Sequence, residues 1–212
     1  MNILIVLAGD PPSKTLLKSE IQIVDLVIAV DGGLNAFTEH KLQPDLVLGD
    51  MDSAELRSNH DVEVVTLSDQ NLTDLQKTLQ YVFEAHSVKS ISFLGAGGAR
   101  TDHLLNNLHI CALIDDSVKI IFKNEISGST EFRLEIIQRI TPHANFDLPV
   151  KKGSTLSILP IADFSGLTSE GLVWEIEECD YSNTFTCQSN LSIKDDPTFM
   201  IHSGYAYIAV YQ

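Results

Sequence analysis

The 212-residue chain predicts an α/β layer domain with a mostly parallel sheet over residues 1–123, followed by an all-β sandwich domain over residues 124–212. Two observations carry this reading. In the first half, near-continuous runs of Val, Ile and Leu alternate with helical patterns, as expected of strands covered on both faces. In the second half the apolar segments are short, rich in β-branched and aromatic residues, and punctuated by Gly, Asn, Asp and Pro.

The predicted strands of the first domain are residues 3–7, 25–30, 45–48, 90–94 and 118–122. The clearest helix follows Thr73, a fitting N-cap. Leu75, Leu79 and Val82 recur at i, i+4 and i+7 and form one apolar stripe, with Asp74, Lys77 and Tyr81 on the other face. A second helix is expected over 102–114. In the second domain, strands are expected at 154–160, 171–176, 199–202 and 205–210. Residues 124–150 carry no clear pattern. There is no internal repeat and no low-complexity stretch.

Composition narrows the function. With 44% hydrophobic residues the chain has ample material for a core. A formal charge of −15 argues against nucleic acid or an anionic membrane surface as partner, because both need a basic footprint. A bound nucleotide would need a cation and a few placed Lys or Arg to reverse the sign locally. A cationic substrate meets no such opposition. The cysteines, Cys111, Cys179 and Cys187, are odd in number and form no C-x-x-C pair, which predicts a reducing, cytoplasmic setting. Residues 1–8 read as a buried strand rather than a signal peptide. No run approaches the roughly 18 apolar residues of a membrane helix.

Four polar clusters stand at strand ends or helix starts, where open α/β sheets bind ligands. Asp31-Gly32-Gly33 follows the second strand, and its glycines allow close backbone approach. An ordinary turn has the same composition. Gly49-Asp50-Met51-Asp52-Ser53 follows the third strand; in extended chain Asp50 and Asp52 share a face, and two such carboxylates call for a hard cation such as Mg²⁺. A solvated acidic turn is the competing reading. Asp74 opens a helix, where negative charge is favoured anyway, and Lys77 shares its face. A surface ion pair explains these two equally well; the functional reading makes Asp74 a third metal carboxylate and Lys77 a phosphate cation.

The fourth cluster, Gly95 through His103, is the most specific. A Gly-rich strand-to-helix turn presents backbone N–H groups to an anion. Arg100 adds a planar fork that matches phosphate oxygens. Asp102 and His103 open the helix, and Asn106 lies one turn further along. Packing explains the glycines but not Arg-x-Asp-His. The turn is neither a Walker A loop nor a G-x-G-x-x-G fingerprint.

In this order the four clusters resemble the thiamine pyrophosphokinase family. Its pattern is Asp-Gly-Gly, then Pro-Asp followed by Gly-Asp-x-Asp-Ser, then Thr-Asp with Lys three residues on, then Gly-Ala-x-Gly-Gly-Arg-x-Asp-His with a later Asn. The chain supplies Asp31-Gly32-Gly33, Pro44-Asp45, Gly49 through Ser53, Thr73-Asp74 with Lys77, and Gly95 through His103 with Asn106. One departure is Ala99, where the family usually has Gly. Gly171-Leu172-Val173-Trp174 resembles the family's Gly-Leu-x-Trp, and Ser189-Asn190 its Ser-Asn. A second Ser-Asn stands at Ser182-Asn183 and leaves that assignment open. Without the family, a lone Trp reads more readily as core.

The resemblance implies Mg²⁺-dependent transfer of pyrophosphate from ATP to the hydroxyl of thiamine. It implies catalytic roles for Asp50, Asp52, Asp74, Lys77, Arg100 and Asp102, with the metal on Asp50, Asp52 and Asp74. ATP would meet Asp31, Gly32, Gly33, Gly95, Gly97, Gly98, Arg100, His103 and Asn106. Thiamine would meet Trp174, Ser189 and Asn190. The family also implies a homodimer with active sites between subunits. A Mg²⁺-dependent phosphohydrolase and a non-catalytic nucleotide or thiamine sensor are the alternatives.

Overall fold

The computed structural model describes residues 1–49, 62–98, 100–128, 133–182 and 185–212. Contacts divide the chain into two compact units, Met1–Ile110 and Cys111–Gln212. The expected limit at 123/124 therefore falls inside a strand, Lys119–Glu125, of the second unit.

The first unit is α/β. Its strands are β1 (Asn2–Val6), β2 (Leu26–Val30), β3 (Leu46–Gly49), β4 (Glu63–Thr66) and β5 (Ser90–Leu94). They lie in the order β5-β1-β2-β3-β4, and their described pairings are all parallel. The apolar runs explain the inner strands: β1, β2 and β3 are buried almost without interruption, as a sheet covered on both faces requires. β4 is the exception. Its Val-rich run is short and largely exposed, with Glu63 at its start. Among the described residues four helices connect the strands: α1 (Lys14–Ile21), α2 (Leu34–His40), α3 (Asp74–Ala85) and α4 (Thr101–Ala112). Neither α1 nor α2 has a stripe long enough to stand out in the sequence.

The helix after Thr73 forms as expected. Thr73 caps α3 in a full capping box: its hydroxyl accepts from Gln76 N–H at 3.3 Å, and Gln76 Oε1 accepts from Thr73 N–H at 3.0 Å. Leu75, Leu79 and Val82 are buried, but so are Lys77 and Thr78. Lys77 thus leaves the polar face assigned to it.

Among the described residues the second unit is all-β apart from the end of α4. Its strands are β6 (Lys119–Glu125), β7 (Leu134–Ile140), β8 (Thr155–Leu159), β9 (Phe164–Ser165), β10 (Thr168–Glu170), β11 (Cys187–Leu191), β12 (Thr198–Met200), β13 (Ser203–Gly204) and β14 (Ala206–Tyr211). A five-strand antiparallel layer runs β11-β8-β14-β7-β6. Two short ribbons, β10–β12 and β9–β13, add the rest. Ile136, Leu156, Ile208 and Val210 from the layer share one core with Phe164, Leu167, Leu172 and Phe199 from the ribbon side, which makes a sandwich.

Arg139 on β7 is fully buried. Its guanidinium donates to the carbonyl oxygens of Cys111 (2.9 Å), Ile114 (2.7 Å), Asp115 (2.8 Å) and Val118 (2.8 Å), closing the carbonyl-rich end of α4 and the turn after it.

One expectation changes in this unit. Residues 171–176 are not a strand. Gly171 has φ +103°, and the chain folds back so that Glu175 accepts from Gly171 N–H (2.6 Å), Leu172 N–H (3.0 Å) and the Ser169 hydroxyl (2.6 Å). Ser189-Asn190 lies in a strand. It sits within β11 at a bulge against β8, with Ser189 at φ 56°.

Candidate active site and family

In the first unit the chain runs outward from β1 through β2, β3 and β4, then returns to place β5 on the other side of β1. The crevice between β1 and β5, at their carboxyl ends, is the switch point where such sheets bind ligands. A cavity of about 410 Å³ opens there. That lies within the roughly 300–1,000 Å³ typical of small-molecule sites.

Each wall comes from a different segment. Asp31 enters from the end of β2, and Asp74 from the first turn of α3. Gly95 and Gly97 come from the turn after β5. Arg100, His103 and Asn106 come from the start and second turn of α4. Six of the nine residues expected to meet ATP thus line one cavity. Gly32, Gly33 and Gly98 adjoin these residues in the chain but are not among those lining the cavity. A Cβ on Gly33 would strike the Val6 carbonyl, and one on Gly98 would meet the Asp10 carboxylate at 2.5 Å.

Local conformation explains why these residue types are needed. Asp31 adopts φ 44°, a left-handed geometry that Asp tolerates better than most residues. Its carboxylate lies against Gly49, where any side chain would collide with it. Lys77 is 6% exposed and pairs with Asp74 at 2.6 Å; its Nζ also donates to the Leu67 carbonyl at 3.4 Å. The pair is therefore not a solvated surface bridge. Arg100 and Asp102 pair with each other, at 2.5 and 3.1 Å. Hydrogen bonding from Arg100 holds the Asp102 carboxyl below its usual range, and Asp102 raises Arg100 in turn. Both are exposed, so the pair opens readily to a stronger ligand.

Sequence reasoning missed part of the wall. Residues 7–10, which follow β1, line the cavity, as does Asn107. The β1 loop is zipped to the Gly-rich turn: Leu7 N–H donates to Leu94 O at 2.9 Å, Gly9 N–H to Gly95 O at 2.8 Å and Asp10 N–H to Gly97 O at 3.0 Å. The available signal was Gly9-Asp10 directly after a buried strand.

Asp50 and Asp52 lie outside the described residues, as do Ala99 and Asn183. Asp74 is the described member of the expected metal set, half-exposed and facing the cavity with the hard oxygen donors Mg²⁺ prefers. Among the described residues, no three His, Cys, Asp or Glu side chains converge to hold a metal.

The second unit carries the other expected residues. Trp174 is 61% exposed, so it is not core. Asn190, 2% exposed, bonds both backbone polar groups of Trp174. Ser189 N–H donates to the Ser157 hydroxyl at 3.0 Å. The structure thus brings Trp174 and Asn190 together. Asn190 Nδ2 also donates to Cys187 Sγ at 3.6 Å, whereas Cys111 is buried away from solvent and its thiol is pushed far up.

Comparison with known proteins supplies the family. The family "Thiamin pyrophosphokinase, catalytic domain" matches residues 17–122, and "Thiamin pyrophosphokinase, vitamin B1 binding domain" matches residues 139–206. The chain belongs to the thiamin pyrophosphokinase family. Among relatives of this family, Thiamin pyrophosphokinase 1 of Caenorhabditis elegans is 26% identical over 162 residues, covering 71% of this chain and 64% of that protein. Thiamine pyrophosphokinase 3 of Oryza sativa subsp. japonica is 27% identical over 154 residues, covering 67% and 55%. The chain thus matches less than two thirds of the length of these relatives. The crystal structure of thiamine pyrophosphokinase from Bacillus subtilis superposes with TM-score 0.79 at 23% identity, covering 100% of this chain and 99% of that one. The thiamin pyrophosphokinase from Candida albicans gives 0.78 at 16%, covering 99% and 89%. Both likenesses establish the thiamin pyrophosphokinase fold. Among the described residues no helix is long and apolar enough to cross a membrane.

Proposed function

We propose that the chain transfers the terminal pyrophosphate of ATP to the hydroxyl of thiamine, giving thiamine diphosphate and AMP. One observation carries the reading. Asp31, Asp74, Gly95, Gly97, Arg100 and His103, drawn from four separate segments, line a single cavity at the switch point of a parallel sheet. The same chain matches both the catalytic and the vitamin B1 binding domains of the family.

Transfer of a phosphoryl-type group is catalysed mainly by positioning and by stabilising charge. The Gly95–Gly98 turn and Arg100 hold the triphosphate, and His103 hydrogen-bonds to it. Arg100 leaves Asp102 to do so. Lys77 adds positive charge behind Asp74. Asp50, Asp52 and Asp74 would hold Mg²⁺, with Asp102 as a further candidate ligand. The chemistry such an ion would supply there is neutralisation of phosphate charge against the negative field of the protein. An aspartate beside the thiamine hydroxyl accepts its proton as the oxygen attacks the β-phosphorus. Trp174, held by Asn190, offers its indole face to the cationic thiamine ring, with Ser189 alongside.

The reading extends to a homodimer with active sites between subunits. It also extends to a cytoplasmic setting, supported by three cysteines that are all free.

The test is AMP release by purified protein with ATP and Mg²⁺, with and without thiamine. AMP that needs both thiamine and Mg²⁺ is the expected result. ADP and phosphate released regardless of thiamine would replace the reading with a phosphohydrolase. Tight ligand binding without turnover would replace it with a sensor.

A further inference from the structure

The three consecutive carbonyls of the Gly-rich turn each have a partner. Gly95 O and Gly97 O accept from Gly9 N–H and Asp10 N–H, at 2.8 and 3.0 Å. Ala96 O, between them, accepts from the side-chain Nδ2 of Asn107 at 3.2 Å. In a planar trans peptide, the carbonyl of one residue and the N–H of the next point in opposite directions. Tying back the three carbonyls therefore turns the N–H groups of Ala96, Gly97 and Gly98 away from those partners. Among the described residues, these three N–H groups donate to no protein acceptor. Successive free N–H groups in a turn form an anion-binding concavity.

Asn107 is the only side chain among the three tethers. It sits mid-helix in α4, where Asn is a poor choice because its amide competes for local backbone groups. Such a breach of local preference is expected where function needs it. Helix geometry gives the reason for the position. Seven residues are about two turns, so Asn107 stands on the face of α4 below Arg100, with His103 one turn above it. Asn106 also lines the cavity but lies further round and is exposed.

We propose that Asn107 is a positioning residue: by holding the Ala96 carbonyl it fixes the Gly97 N–H in the orientation that binds a phosphate oxygen. This rests on the reading of the cavity as the site of the ATP phosphates. The tethers from Gly9 and Asp10 are backbone bonds in which the Asn107 side chain takes no part. The contribution of Asn107 is thus separable from folding of the turn.

The experiment uses the full chain and inorganic pyrophosphate as probe, with binding read by calorimetry beside steady-state kinetics and a thermal melt. Asn107→Ala and Asn107→Asp, which lack the donor, are expected to weaken pyrophosphate binding and raise KM for ATP by about tenfold. KM for thiamine and the melting temperature stay at native values. Asn107→Gln, which keeps an amide, recovers part of the loss. Pyrophosphate affinity within twofold of native in both donor-less variants overturns the proposal. So does a parallel loss for thiamine with a lowered melting temperature, which marks a merely structural role. Absence of pyrophosphate binding by the native chain also overturns it. Asn107-dependent pyrophosphate binding in a chain that transfers nothing to thiamine upholds the proposal while removing the functional reading.

Discussion

Asn190 grips the backbone of Trp174 from both sides. Its Oδ1 accepts from Trp174 N–H at 3.2 Å, and its Nδ2 donates to the Trp174 carbonyl at 2.7 Å. A buried amide thereby presents an exposed indole. Asn190→Ala leaves both backbone groups to find water, at a cost of about 1–3 kcal/mol in stability. It is expected to raise KM for thiamine about tenfold while KM for ATP is unchanged, since only the platform moves. Denaturant unfolding and kinetics in each substrate check the two halves separately.

Asp52→Asn removes one charge from the expected metal set without changing its shape. Turnover is expected to fall by about 100-fold or more, with the melting temperature preserved. Excess Mg²⁺ restores a measurable part of the loss if the carboxylate serves the metal. Near-native turnover would end the metal assignment.

Gly9 is a steric requirement. An added Cβ would collide with the carbonyl oxygens of Gly95 and Gly97, both backbone atoms. Gly9→Ala must push the β1 loop off the Gly-rich turn and break the zip between them. A loss of about 1–3 kcal/mol is expected, with a drop in ATP affinity larger than that in thiamine affinity. Thermal melts with and without ATP read both.

Glu175 gives a pH signature. Burial pushes its carboxyl up, but hydrogen bonds from the Ser169 hydroxyl and the N–H groups of Gly171 and Leu172 outweigh this and hold it below the ordinary 4.5. A depressed carboxyl stabilises the fold above its unfolded value and loses that contribution as pH falls through the folded one. The stability advantage of the native chain over Glu175→Gln should therefore be complete above about pH 4.5 and shrink on further acidification. Unfolding midpoints across pH 3–7 would show it; a difference independent of pH would refute it.

Much of this was legible in the sequence, for identifiable reasons. Buried parallel strands write themselves as apolar runs, so β1, β2, β3 and β5 were visible. So was the Gly-rich turn, because no packing need explains Arg100, Asp102 and His103 together. The wall formed by Gly9 and Asp10 was not, because it depends on β5 lying beside β1, a matter of strand order. Residues 171–176 looked like a strand because Leu, Val, Trp and Ile favour one, yet three hydrogen bonds to Glu175 outweigh that preference. Helical period placed Lys77 on the wet face; its long stem and Asp74 let it go inside. Nothing in the pattern of β7 announces Arg139 as buried, because its four short carbonyl partners become neighbours only on folding.

The zip between the β1 loop and the Gly-rich turn has a consequence for how the protein is made. Asn2 and Ser90, which start the paired strands, stand 88 residues apart. The cavity wall thus depends on a contact of long sequence separation, of the kind that closes late because chain entropy must be given up first. On the proposed function, a fragment made during synthesis that ends before the Gly-rich turn lacks the phosphate site. Nucleotide would then act as a pharmacological chaperone only on a first unit that is already nearly whole, and its binding would report completed folding, not a partial intermediate.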